Sequence, residues 1–376
     1  MRRVSPALFI VPLLLAASAS SKTAGVQWIN RAEALESRKN WQGLQALADR
    51  WIKAQPHSAI AWFALSVADD ELGQYAQAID ADRQALQINP QYAKAWDNLG
   101  FAYDDTGQYA QAIAAYRKAL QINPKFALAW NNLGNAYYSA GEHAQAIDAY
   151  RQALQINPQY ADAWNNLGIA YDDTGQYAQA IDADRKALQI NPQYANAWDT
   201  LGTAYYHVGQ HAQAINAERQ ALKINPKLAL AWNNLGAAYH GAGQDTQAID
   251  AYRQALQINP KFAGAWYNLG AAYDDAGQHA QAIDADRKAL QINPKFALAW
   301  NNLGNAYYSA GQDTQAIDAY RQALQINPKF ALAWYNLGFA YNHAGQQNQA
   351  LAVVYQHLKT LDPAMAQKLF DLMVPK

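Results

Sequence analysis

The sequence predicts an all-α chain: a solenoid of about ten stacked helix-turn-helix hairpins closed by a C-terminal capping helix. Three observations carry this. A tryptophan recurs every 34 residues, from Trp62 through Trp96, Trp130, Trp164, Trp198, Trp232, Trp266 and Trp300 to Trp334. So long and strict a period means copies that stack on their neighbours instead of folding around one centre. Take the copy from Ala93 to Phe126 as the frame, with Ala93 as place one. Trp96, Leu99, Gly100 and Tyr103 then fall at i, i+3, i+4 and i+7, the buried face of a first helix. Ala112, Tyr116 and Ala119 repeat the helical spacing in a second helix. Gly107 breaks the chain between the two, and Asn123-Pro124 ends the second because the residue before a proline is pushed out of the α region.

The pattern Trp-x-x-Leu-Gly-x-x-Tyr, then Ala-x-x-x-Tyr, then Pro, resembles the tetratricopeptide repeat in period and signature. The resemblance covers nine copies over residues 59–364, and a degenerate tenth over 25–58 keeps the frame through Trp28, Trp41 and Pro56. It implies a right-handed superhelix of hairpins, with first helices lining a concave groove and proteins or peptides as the usual ligands. A hydrophobic content of 51% suffices for a core running through every copy, with the tryptophans expected to be buried in it. Residues 365–376 complete the chain: Asp362-Pro363 is an N-cap and first helical residue, and Ala366, Leu369, Phe370 and Met373 follow at helical spacing. This amphipathic helix is expected to cover the last hairpin, or else to dock on another protein.

Residues 1–19 have the pattern of an export signal. Arg2 and Arg3 precede an apolar run from Ala7 to Ala17, and Ala17-Ser18-Ala19 is a small-residue cleavage site, with cleavage expected after Ala19. The alternative, an uncleaved anchor, needs roughly 20 apolar residues, and Pro12 interrupts this run. No later segment could span a bilayer. The chain has no cysteine, which removes disulfides, thiolate metal sites and thiol nucleophiles. The expectation is a monomer, periplasmic or secreted in a bacterium.

On the first helix, places two, five, six, nine, twelve and thirteen point away from the core. Copies differ there and hardly at all on the second helix, where Arg83, Arg117, Arg151, Arg185, Arg219, Arg253, Arg287 and Arg321 recur. That contrast points to a functional first-helix groove. Place six varies least within it, being Asn98, Asn132, Asn166, Asn234, Asn268, Asn302 and Asn336, with only Ala64 and Thr200 departing. Asparagine is a mediocre helix former, so its repetition needs a reason. A row of amides could hold the backbone of an extended peptide, as in the asparagine ladder of superhelical tetratricopeptide proteins that it resembles. Alternatively, each amide bonds a neighbouring helix and fixes the packing of copies.

Charge sharpens the expectation. The six groove places carry Asp70, Glu71, Asp97, Asp104, Asp105, Asp162, Asp172, Asp173, Asp199, Asp274 and Asp275, against Lys94 as the only Lys or Arg. The net charge of −1 thus hides a separation of sign. Asp104, Asp105, Asp172, Asp173, Asp274 and Asp275 sit near the C-terminal ends of first helices, where the helix dipole disfavours them, which suggests use in selecting a basic partner. Nucleic acid is disfavoured by this sign, and so is a partner held by its terminal carboxylate.

No catalytic function, cofactor or metal is expected. His207, His211 and His240 lie too far apart for one ion, the Asp-Asp pairs lack the alternation of a calcium loop, and neither a zinc-protease helix nor a serine elbow occurs. One departure stands out. The place of Tyr116, Tyr150, Tyr252 and Tyr320 is taken by Asp82, Asp184, Asp286 and Glu218 in four other copies, which should weaken the stack locally. The preferred reading is an exported scaffold that binds an extended, basic partner segment in an acidic, asparagine-lined groove. The other is a structural component of an envelope machine for pilus, polysaccharide or outer-membrane assembly, working through its convex face and ends.

Overall fold

The computed structural model describes residues 19–373, and all its regular structure is helical. The expected export signal falls on residues 1–18, outside the described residues, and on Ala19, where the first helix begins. Helices pair into stacked helix-turn-helix hairpins, and the chain divides into two compact units, Met1–Pro192 and Gln193–Lys376.

The first unit opens with the pair Ala19–Ser37 and Trp41–Ala54, where Trp28 stacks on the buried Trp51 with ring centroids 6.0 Å apart. Four regular hairpins follow, from Ala59–Glu71 with Tyr75–Ile88 to Ala161–Asp173 with Tyr177–Ile190. The second unit begins with Ala195–His207 and His211–Ile224, and three more regular hairpins end at Ile326. Its last first helix, Ala331–His343, is followed by an irregular segment that includes a π-helical turn, Ala350–Tyr355. Among the described residues, no helix is long and apolar enough to cross a membrane.

Each hairpin turn is made the same way. In the copy from Ala93, Gly107 takes φ +75, the Gln108 amide donates to the Tyr103 carbonyl at 2.8 Å, and the Gly107 amide donates to Asp104 at 3.0 Å. Those bonds satisfy carbonyls that a helix end leaves open, and glycine adopts the left-handed conformation without steric cost. At the far end of the hairpin, Asn123 caps the second helix while its Oδ1 accepts the Lys125 amide at 3.2 Å, turning the chain at Pro124.

The core consists of Leu99, Ala102 and Tyr103 from the first helix and Ala112, Ile113, Ala115, Tyr116, Ala119 and Leu120 from the second. Gly100 is required by closeness: a methyl there would lie 2.7 Å from the Tyr116 ring. The recurring tryptophans are not in this core. They are half-buried, and each indole N–H whose bond is resolved reaches the carbonyl of the proline six residues earlier, as Trp96 does to Pro90 at 2.9 Å. A buried indole needs an acceptor for its N–H, and the turn closing the preceding copy supplies one at the protein surface. At the C-terminus Asp362 Oδ1 accepts the Met365 amide at 3.0 Å and starts the helix Pro363–Met373, which packs on Ala331–His343. Its Leu369 lies against Gly338, where tyrosine or a carboxylate lies in other copies.

Candidate functional site

Place six was the candidate ladder, and its amides reach backwards. Asn166 Nδ2 donates to Oδ1 of Asn131 and of Asn135, both at 3.1 Å, which are places five and nine of the copy before. Asn132 reaches Asp97 at 3.4 Å. Asn98 Nδ2 lies 2.6 Å from Asp70, 3.0 Å from Asp82 and 3.1 Å from the Ser66 hydroxyl. The second unit repeats the rule: Asn234 donates to Asp199 and Thr203, Asn268 to Asn233, and Asn336 to Asn301 and Asn305. Tyr267 is hydrogen-bonded to Asn302.

Asn98, Asn132 and Asn166 are no more than 2% exposed. The expectation that they hold a partner's backbone is therefore corrected: successive first helices approach closely enough to close over places five and six. The amides are spent inside the stack because a buried N–H must be satisfied. Asn234, Asn268, Asn302 and Asn336 are half-buried and keep an edge to solvent.

The carboxylates divide in the same way. Asp104 is 2% exposed, so its expected partner contact is also corrected. Asp105, Asp172 and Asp274 are half-buried, and Asp173 and Asp275 are exposed. These five line the C-terminal rims of their first helices, where several already serve joints between helices. Asp173 accepts the Tyr138 hydroxyl from the preceding copy, and Asp274 faces His279 at 2.7 Å. Asp275 faces His240 Nε2 at 3.2 Å, while the other ring nitrogen of that histidine faces Asp245 at 3.2 Å.

Burial lowers the charge that the sequence suggests. It pushes Asp97 up to about 7 and Asp199 up to about 6, with hydrogen bonds from Asn132 to the first and from Glu218 and then Asn234 to the second pulling the other way. Asp70, Asp82, Glu218 and Asp286 are held well above the usual carboxylate range, first by burial and then by neighbouring carboxyls. The four acids that replace tyrosine do not turn to solvent. Asp82 accepts from Ser66 and Asn98, and Asp184 from Asn165 at 2.9 Å. Neither Asp286 oxygen has a hydrogen-bond donor among the described residues.

The sequence reading missed the opposite face. Arg151 Nε donates to the Tyr171 hydroxyl of the next copy at 3.0 Å, with its guanidinium 5.6 Å from that ring's centroid. The same pair recurs as Arg253 with Tyr273. Lys186 and Lys288 stand 4.3 Å over the Trp164 and Trp266 rings. Between consecutive second helices these residues wall a pocket floored by the tryptophan, of about 440 Å³ at Trp164, 450 Å³ at Trp266, 550 Å³ at Trp232 and 580 Å³ at Trp96. The signal is present in the strict recurrence of Arg, Trp and Tyr at fixed separations, although the helical spacing of Trp and Tyr alone points to the core.

Family profiles match most of the chain. That of the cilia and flagella-associated protein 70 C-terminal domain covers residues 94–260, and tetratricopeptide repeat profiles cover 71–107, 263–296, 287–318 and 304–345. No curated protein matches significantly. Among solved structures, a tetratricopeptide repeat protein from Parabacteroides merdae is 18% identical, with a TM-score of 0.55 over 66% of this chain and 98% of its own. The Cut9–Hcn1 hetero-tetramer of APC/C is 15% identical, with a TM-score of 0.52 over 94% of this chain and 98% of its own. At these identities the likeness is one of fold. MamA is 30% identical, with a TM-score of 0.39, and covers 44% of this chain and 96% of its own.

Proposed function

We propose, from the premise that the chain belongs to the tetratricopeptide repeat family, that it is an exported scaffold that captures a basic segment of a partner protein on the carboxylate rims of its first helices. The stacked repeat fold is that of a protein-interaction scaffold. One observation supports the choice of partner: across the groove places of nine copies, Lys94 is the one Lys or Arg against eleven acids. Burial removes Asp70, Asp97, Asp104 and Asp199 from that set. Glu71, Asp105, Asp162, Asp172 and Asp173 remain in the first unit, and Asp274 and Asp275 in the second.

Places six and thirteen are seven residues apart and share a helix face, so the half-buried amides of Asn268, Asn302 and Asn336 lie on the side of the rim carboxylates. Their exposed edges can accept or donate to a bound chain, while Lys or Arg side chains pair with the rim. The export reading rests on residues 1–19 and places the partner outside the cytoplasm.

The test uses the full chain and a fluorescently labelled Gly-(Lys-Ser)5 peptide. Binding is expected to weaken as salt rises, since exposed charges are screened over ~10 Å at 0.1 M. Replacing Asp172, Asp173, Asp274 and Asp275 together by asparagine is expected to cost about tenfold in affinity, about 1.4 kcal/mol. Binding that ignores both salt and the quadruple substitution would reject the acidic rim as the site. Stable assembly at high salt through the outer face would instead favour a structural part in a larger machine.

A further inference from the structure

Each of the four outer pockets joins an arginine and a lysine to a tryptophan floor, the lysine at Trp232 being Lys223 because Gln254 takes the place of Lys186, and one of the four lacks the aspartate of the other three. At Trp164 the wall contains Arg151, Lys186 and Asp182, at Trp266 it contains Arg253, Lys288 and Asp284, and at Trp232 it contains Arg219, Lys223 and Asp250. At Trp96 the two cations are present as Arg83 and Lys118, but Ala114 occupies the place of the aspartate. This pocket is also the largest of the four, about 580 Å³, with Leu86, Leu99 and Ala115 behind the indole. Asp80 lies 3.6 Å from Arg83 outside the wall, but Asp148 and Arg151 repeat that pair at 3.7 Å beside the Trp164 pocket, so it does not distinguish them.

We propose that the Trp96 pocket is a docking site for an acidic peptide segment that carries a leucine-sized apolar side chain. The argument is complementarity. An anion entering any of the other three pockets meets a carboxylate in the wall, and like charges at close range repel. At Trp96 it meets a guanidinium and an ammonium, and the guanidinium is held in place by its bond to the Tyr103 hydroxyl at 2.9 Å. The floor of leucine, alanine and indole offers apolar burial that a free inorganic anion cannot use, and this selects a peptide over phosphate. The site lies on the face away from the groove places and prefers the opposite sign of partner.

The experiment measures anisotropy of fluorescein-labelled Gly-Leu-Glu-Asp-Leu-Gly with the full chain. One site per chain is expected. Ala114→Asp, a substitution that other copies already carry at the same place, is expected to reduce affinity tenfold or more with unchanged circular dichroism. Asp182→Ala removes the carboxylate from the Trp164 pocket and is expected to raise the stoichiometry to two. Undiminished binding by Ala114→Asp, a stoichiometry that stays at one in Asp182→Ala, or competition by inorganic phosphate at equal concentration would each overturn the proposal.

Discussion

The carboxyl of Glu218 lies directly on the bare Cα of Gly202, in the position where the ring of Tyr116 covers Gly100. Both are at most 1% exposed, so one buried place accommodates an aromatic ring in some copies and an acid in others. Asp199 faces Glu218 from the first helix of the same hairpin, and the proximity of the two carboxyls raises Glu218 further.

The folded chain therefore holds protons that the unfolded chain releases. A carboxyl whose folded value is raised contributes its full stability below the ordinary carboxylate range and loses it as pH climbs to the folded value. For Asp199 that window ends at about 6 and for Asp97 at about 7. Stability should thus fall between pH 4.5 and 8, and Glu218→Gln should recover about 1–2 kcal/mol at pH 8 and little at pH 4.5. Urea unfolding at the two pH values checks this, and equal gains at both would contradict it.

Two glycines of one copy should respond differently to the same change. Gly100→Ala puts a methyl 2.7 Å from the Tyr116 ring, in a place with no room to yield, and should cost about 2–3 kcal/mol. Gly107→Ala meets no atom within 4 Å but must hold φ +75, so its cost is the backbone term alone, about 1–2 kcal/mol. Denaturation midpoints of the two variants, measured side by side, give the ranking.

Places five and twenty-four share a volume. Aromatic Phe63, Tyr267 and Tyr335 occur only where place twenty-four is the smaller Asp82, Asp286 or Val354, and every copy with Tyr116, Tyr150, Tyr252 or Tyr320 has Asp or Asn at place five. Asp286→Tyr should accordingly destabilise by about 2 kcal/mol or more beside Tyr267, and adding Tyr267→Asn should restore most of the loss. A double-mutant cycle in urea reads the coupling, and additive effects would refute a shared space.

Asn166→Ala should act on the stack and leave capture alone. Its amide donates to Asn131 and Asn135; the loss orphans the buried Asn131 Oδ1 at about 1–3 kcal/mol, while Asn135 Oδ1 keeps the Tyr150 hydroxyl. Faster hydrogen exchange in the helices Ala127–Ser139 and Ala161–Asp173, with unchanged affinity for the basic peptide, is the expected pair of results.

The hairpins were legible because their determinants are local: Gly107 with its left-handed φ, Asn123-Pro124, and the 3.6-residue spacing of Leu99, Tyr103 and Ala112. Depth was not legible. Place six faces away from a hairpin's own core, yet Asn98 is sealed and Asn336 is not, because its burial is set by how closely the preceding first helix approaches. Trp96 misled in the opposite direction, since its spacing fits a core face while its N–H draws it to the Pro90 carbonyl. Acid titration was hidden for the same reason: Asp97 and Asp105 are the same residue type on one helix, and only the first is enclosed.

The bond from each resolved indole to the proline closing the copy before it ties an optical reporter to a specific seam. Intrinsic emission of the whole chain averages many seams, but replacing one tryptophan by phenylalanine subtracts the contribution of a single one. A difference spectrum recorded during unfolding would then show the order in which neighbouring copies separate, with no added label.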